Sequence, residues 1–167
     1  MFVEQMLKLS GWIVATPASQ AVQAIDGYVP GTQSIHILAI ATVVATTTMV
    51  NLRLLGVMNR SVPIAVLGER LRRPVWWALA VLVATGAALL LAEPERSLAS
   101  QVFQIKMVLL VTACVLLIRQ QRAVRAHAAE WDAAGRVPAS VRVPAVLLIV
   151  IWSCIVFAGR WIAYAQY

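Results

Sequence analysis

Charge is what this chain of 167 residues has least of. Only 13% of it is Asp, Glu, Lys or Arg, where a soluble domain carries about a quarter. With 61% hydrophobic residues and a mean hydropathy of +0.81, a fold in water would have to expose far too much apolar surface. Lipid is therefore the expected solvent for much of the chain. Cysteine and histidine are scarce too, at two each. Cys114 and Cys154 lack CxxC spacing, which leaves a zinc or thioredoxin-like centre unsupported. Both are expected to be buried free thiols packing as small hydrophobes. There is no glycine-rich phosphate loop, no zinc-finger spacing and no aromatic–basic interleaving, so the net charge of +7 does not indicate a nucleic-acid partner.

What is present is four long apolar runs. A membrane span needs about 20 residues, and the runs fall at 32–57, 74–92, 102–118 and 143–164. The third is expected to continue as helix into "RQQRAVRAHAAEW". Pro74 and Pro144 are expected at helix starts, where a missing N–H costs nothing. No carboxylate lies inside any run, so a mid-membrane proton relay or a serine–histidine–carboxylate set lacks its acid. Copper through Met49, Met107, Cys114 and Cys154 fails because these positions spread along the helices.

The basic residues orient the spans. Arg53, Arg60, Arg70, Arg72 and Arg73 lie at the first connection, and Arg119, Arg122, Arg125, Arg136 and Arg142 at the third. Lys8, Arg96, Lys106 and Arg160 lie towards the other side. The positive-inside rule puts the first ten in the cytoplasm and both termini outside. A bacterial inner membrane is the expected location. Trp76, Trp77 and Trp161 fall where interfacial belts belong. The arginines after the third span are expected to contact anionic lipid, or to form a docking surface for an acidic partner.

Residues 1–29 are too polar to span. Phe2, Met6, Leu9 and Ile13 recur at helical spacing, so a short amphipathic helix is expected on the outer surface or capping the bundle, with Pro17 ending it. Lys8 interrupts the first apolar patch, so a cleaved leader is not expected. Thr85 to Ala88 in the second span, and Cys154 with Ala158 in the fourth, offer small residues for close packing. The expected fold is an all-α, antiparallel four-helix transmembrane bundle with an N-terminal interfacial helix.

His36 is the anomaly in "GTQSIHILAIATVVATTTMVNLRLLG". An ionisable group inside a span is a functional hypothesis by default. Counted at ~1.5 Å per residue, His36, Lys106 and Arg160 all sit roughly four residues in from the outer ends of their helices, with Glu93 near the same layer. At 100° per residue, His36, Thr47 and Asn51 share one stripe that should face the interior. Such a layer could hold an anionic or redox cofactor. In a b-type haem, His36 would ligate iron while Lys106 and Arg160 met the propionates. Met107, Lys106 or a partner's residue would have to supply a second ligand, since His127 belongs on the far side. For a quinone, His36 would bond a carbonyl oxygen.

The same stretches carry a resemblance. His36 with Ala39, the run Asn51 to Gly56, and Phe103 with Lys106 resemble an H-x-x-G/A … D/N-L-R-L-L-G … F-x-x-K pattern found in an uncharacterised family of small bacterial four-span inner-membrane proteins. Asn51 stands where that pattern more often has aspartate. The resemblance implies the architecture and the pairing of His36 with Lys106, and names no reaction. The expectation is a haem- or quinone-binding membrane redox subunit, not an enzyme on its own, working with a protein partner or as a homo-oligomer. The alternatives are a cofactor-free anchoring subunit and, more weakly, a small-solute or metal permease component.

Overall fold

The computed structural model describes residues 2–58, 61–98 and 100–161, and these are helical throughout apart from short connections. Arg60 and the last three residues of the fourth apolar run lie outside the described residues, as do the side chains of Phe2, Arg96 and Trp161. Two short helices, α1 (Phe2–Val14) and α2 (Pro17–Gln23), precede α3 (Tyr28–Leu54) and α4 (Ile64–Ala92). A single-turn α5 (Pro94–Leu98) then leads to α6 (Gln101–Ala134) and α7 (Ala139–Trp161). The helices α3, α4, α6 and α7 are long and apolar enough to cross a membrane. At ~1.5 Å per residue even the shortest exceeds a hydrocarbon core of about 30 Å. They form an antiparallel ring in which α3 packs on α4, α4 on α6, α6 on α7, and α7 back on α3.

The interior is an aliphatic column closed by one aromatic. Ala39, Val43, Leu79, Leu82, Ala113, Leu148 and Trp152 belong to one buried cluster, with Val43, Ala113 and Leu148 fully enclosed. A second cluster, including Leu54, Ile64, Val124 and Ala145, closes the arginine-rich end. Large apolar residues such as Leu38, Val83, Val108 and Phe157 point outward. On a membrane helix that face meets acyl chains, so their exposure carries no hydrophobic penalty.

Several boundaries differ from the sequence expectation. Pro74 and Pro144 lie inside α4 and α7, not at their starts. They mark where the apolar section begins, while the helix continues ten residues further in α4 because "IAVLGERLRR" is itself a good helix former. Neighbouring helices and water satisfy the carbonyls that a helical proline frees. Ahead of α3 only residues 24–27 form a turn, although glycine and proline continue to Gly31. Gly27 takes a left-handed φ of 77° and α3 begins at Tyr28. Gly56 (φ 73°) ends α3, donating to the Arg53 carbonyl while Val57 donates to that of Leu52. These two hydrogen bonds satisfy two of the helix's last carbonyls.

The N-terminal helices cap the bundle, packing on α4 and α5. Pro17 does not end α1. It starts α2, behind an N-cap Thr16 that accepts from Ser19 N. The buried face of α1 also differs from the one expected, since Ser10 is enclosed while Leu7, Leu9 and Trp12 are exposed. In lipid the apolar face of a helix can turn away from the protein without cost. The fully enclosed Ser19 donates to the Leu91 carbonyl at 2.7 Å, and Gln23 Nε2 donates to that of Ala92 at 3.1 Å. These bonds occupy carbonyls at the end of α4 that have no partner within their own helix.

The thiols also depart from expectation. Cys114 is half-buried and Cys154 is exposed, both free. Cys154 therefore faces outward. The close approach on α7 occurs further along the helix, at Gly159.

Candidate functional site

The stripe read from α3 faces inward. Ala39, Val43, Thr47, Asn51 and Leu54 are its buried residues, each three or four positions from the last. Thr47 meets its own need by donating to the Val43 carbonyl at 2.6 Å, so it holds no hydroxyl proton free for a ligand. Asn51, with no exposed surface, accepts from Gln120 Nε2 at 2.8 Å. That bond crosses the ring from α3 to α6. The second half of the Asn51 amide, Nδ2, is buried without an acceptor among the described residues, as is Trp152 Nε1.

His36 is half-buried at the opposite end. Its Nδ1 lies 2.8 Å from Thr85 Oγ1 on α4. The Thr85 hydroxyl lies 2.7 Å from the Val81 carbonyl, to which it donates. A hydroxyl has one proton. With that proton on Val81, Thr85 accepts from the imidazole; a neutral ring in this arrangement carries its hydrogen on Nδ1 and leaves a lone pair on Nε2. Gly86, next in α4, gives the ring its bed. A Cβ there would lie 3.5 Å from His36 Cε1.

Lys106 on α6 reaches the same layer. It is half-buried, and its ammonium acts electrostatically on the His36 ring. It lies across α7 at a second glycine, where a Cβ on Gly159 would lie 3.5 Å from Nζ. Two glycines thus admit two polar side chains between otherwise closely packed helices. Among the described residues, His36 Nε2 offers this layer an acceptor and the Lys106 ammonium a donor.

The remaining candidates do not join this pair closely. Arg160 is exposed, one residue on from Gly159 and so about 100° further round α7. Met107 is half-buried, an equal step round α6 from Lys106. Thr47 and Asn51 lie about 11 and 15 residues below His36, roughly 16 and 22 Å along the axis. They share its stripe but not its layer. His127 sits near the far end of α6, 3.3 Å from a Glu130 carboxylate oxygen and with its ring 6.0 Å from that of Trp131. No group of three or more His, Cys, Asp or Glu able to hold a metal ion occurs among the described residues.

A family model described as "Family of unknown function (DUF6644)" matches residues 21–165. The chain belongs to that family. No curated protein and no solved structure matches it. The match begins within α2, so the family region includes Gln23 and all four spanning helices, with every member of the His36 layer.

Sequence reasoning misses Thr85 and Gln120, the partners of His36 and Asn51. In the sequence Thr85 reads only as a small packing residue. Its depth is the available signal, since it lies seven residues from the end of α4, as His36 lies eight from the start of α3. Gln120 falls two residues past the apolar run that ends at Ile118. Asp132 is missed as well. This carboxylate near the end of α6 accepts from Arg53 Nη2 at 3.2 Å and from Ile64 N and Ala65 N at 3.0 and 3.3 Å. A residue 68 positions away thereby caps α4, and Arg53, a topology signal in the sequence, is part of the same lock.

Proposed function

We propose that this protein is a small membrane subunit that binds a quinone headgroup at the His36–Lys106 layer and serves a redox partner. The observation that carries the reading is the Thr85 hydroxyl, which takes the Nδ1 side of His36 and leaves Nε2 to a ligand, with the Lys106 ammonium at the same depth on α6. Quinol presents a hydroxyl that donates, and quinone presents a carbonyl that accepts. An acceptor and a donor in one layer can engage both forms. The position about eight residues into α3, roughly 12 Å, suits a polar headgroup whose isoprenoid tail lies among acyl chains.

Haem fits less well. His36 Nε2 could ligate iron, but the other histidine, His127, lies near the far end of α6, which leaves Lys106, Met107 or a partner's residue as the second ligand. A cofactor-free anchoring role has one observation in its favour: Gly86 and Gly159 let His36 and Lys106 pack as helix-locking side chains.

The test is titration of the purified protein with a short-chain quinol and its quinone, alongside absorbance spectra before and after dithionite. Binding of both forms, weakened at least tenfold in His36→Ala and unaffected in Thr112→Ala on the exposed face of α6, is the expected result. Equal affinity in His36→Ala would overturn the assignment. A Soret band lost in His36→Ala would move the reading to haem. Neither ligand nor band, with a lowered melting temperature in the variant, would leave the anchoring role.

A further inference from the structure

A second site lies at the other end of the bundle and owes nothing to the reading of His36. Between α3, α4 and α6 lies a narrow cleft with room for about 30 Å³, partly open to the surroundings. Its inner walls include Val50, Val75 and Leu117, its floor includes Gln120, and Arg72 and Arg125 line it as well. We propose that this cleft binds an anionic glycerophospholipid.

The order of side chains along α6 carries the argument. From the end of the helix inward come Arg125, then Gln121 and Gln120, then Leu117: charge, amide, aliphatic. A glycerophospholipid presents phosphate, ester and acyl chain in that order. Arg125 and Gln120 are five residues apart, roughly 7.5 Å along the axis, a separation suited to a phosphate and the esters beneath it. Trp76 stands beside the cleft at the same level, its indole N–H donating to Gln121 at 2.9 Å, and it is 42% exposed, as an interfacial belt residue is.

A buried polar group marks the inner end of the cleft. Gln120 is only 5% exposed yet lines the cleft, and its amide is held in place by Asn51 behind it.

The charges favour an anion. Glu69 is present, bonded to Arg72 at 2.8 Å, and Arg72, Arg73 and Arg125 all act on it electrostatically. Three cations face one carboxylate. Arg72 is held by Glu69, so Arg125, exposed, is the residue left to meet a phosphate bidentately.

The test uses the full chain, released from detergent in a mass spectrometer with phosphatidylglycerol, phosphatidylcholine or glycerol phosphate added. Phosphatidylglycerol should bind in preference to phosphatidylcholine. Arg125→Gln should weaken it about fivefold, while Arg122→Gln, also exposed on α6 but outside the cleft, should not. Equal losses in the two variants would overturn the site in favour of diffuse surface attraction. Binding of glycerol phosphate as tight as that of the lipid would overturn the lipid assignment and indicate a soluble phosphate ester.

Discussion

Gln120 Nε2 donates to Asn51 Oδ1 at 2.8 Å across the centre of the ring, joining α3 to α6 where both side chains are almost wholly enclosed. In water such a pair would be weak evidence for stability. In a bundle whose helices gain little from apolar burial, hydrogen bonds between helices count for more, though averages remain near about 0.6 kcal/mol. The pair also ties together two helices that each pack on α4 and α7 along the ring.

That geometry predicts a non-additive pair. Asn51→Leu leaves the Gln120 amide buried and unpaired, and Gln120→Leu does the same to Asn51, at about 1–3 kcal/mol each. The double variant removes both polar groups and should lose less than the sum of the singles. Unfolding in mixed micelles measures all four states of the cycle. Additive losses would mean that the two amides do not act as a unit.

A second pair tests packing. A Cβ on Gly68 would come within 2.8 Å of Val124 Cγ1. Gly68→Ala gains about 1 kcal/mol of helix propensity but overpacks the α4–α6 contact, at about 1–3 kcal/mol. The overpacking should win, lowering the melting temperature, and Val124→Ala in the same chain should recover part of the loss. If Gly68→Ala raises the melting temperature, the two helices have room to move apart there.

The lock at the arginine-rich end gives a third. Asp132 caps α4 through Ile64 N and Ala65 N and pairs with Arg53, while Arg53 Nε donates to the Val62 carbonyl at 2.7 Å. Loss of a helix cap costs about 1 kcal/mol. Here Asp132→Ala also removes the partner of a cation whose side chain is only 14% exposed. A total near about 2 kcal/mol is expected, with faster amide exchange concentrated at Ile64 and Ala65. Arg53→Gln should cost less, because the cap survives it.

How much of this is legible in the sequence follows from what kind of signal each feature leaves. The spans and the inward stripe of α3 are periodic, and periodicity survives in one dimension. Angle alone puts Thr47 and Asn51 on the buried face. The prolines mislead because Pro74 marks an edge of hydrophobicity, which coincides with a helix start only when the adjoining segment is not helical. Asp132 and Arg53 are 79 positions apart, and nothing local in either stretch announces the other. Arg160 groups with Lys106 in the sequence because depth can be counted along a helix, whereas rotation relative to a neighbour depends on which faces pack. Glycine at 159 sets that face, and places Lys106 against it.

The attachment of α2 to α4 predicts a local change. Ser19→Ala removes the donor to the Leu91 carbonyl and one acceptor of Gln23 Nε2. The four spanning helices do not depend on these bonds, so the global melting temperature should change little. Protease cleavage between α2 and α3 should accelerate, because the N-terminal helices are held to the bundle end partly through this serine. Unchanged cleavage would place the attachment in the α1–α5 contact instead.

The His36 tautomer can be read directly. Thr85 Oγ1 donates to Val81 O and so accepts from Nδ1. With ¹⁵N-labelled histidine, the His36 ring should show a protonated Nδ1 and an unprotonated Nε2, the reverse of the tautomer usual for free neutral imidazole. Thr85→Val keeps the volume near constant and removes the acceptor, which releases the ring to exchange tautomers and should weaken any ligand that donates to Nε2. Thr85→Ser retains a hydroxyl able to bond both Val81 O and Nδ1, and should restore the signal. A wild-type ring protonated on Nε2 would reverse the chemistry of the layer, turning the proposed acceptor into a second donor beside Lys106, and a quinol hydroxyl would then find nothing there to receive it.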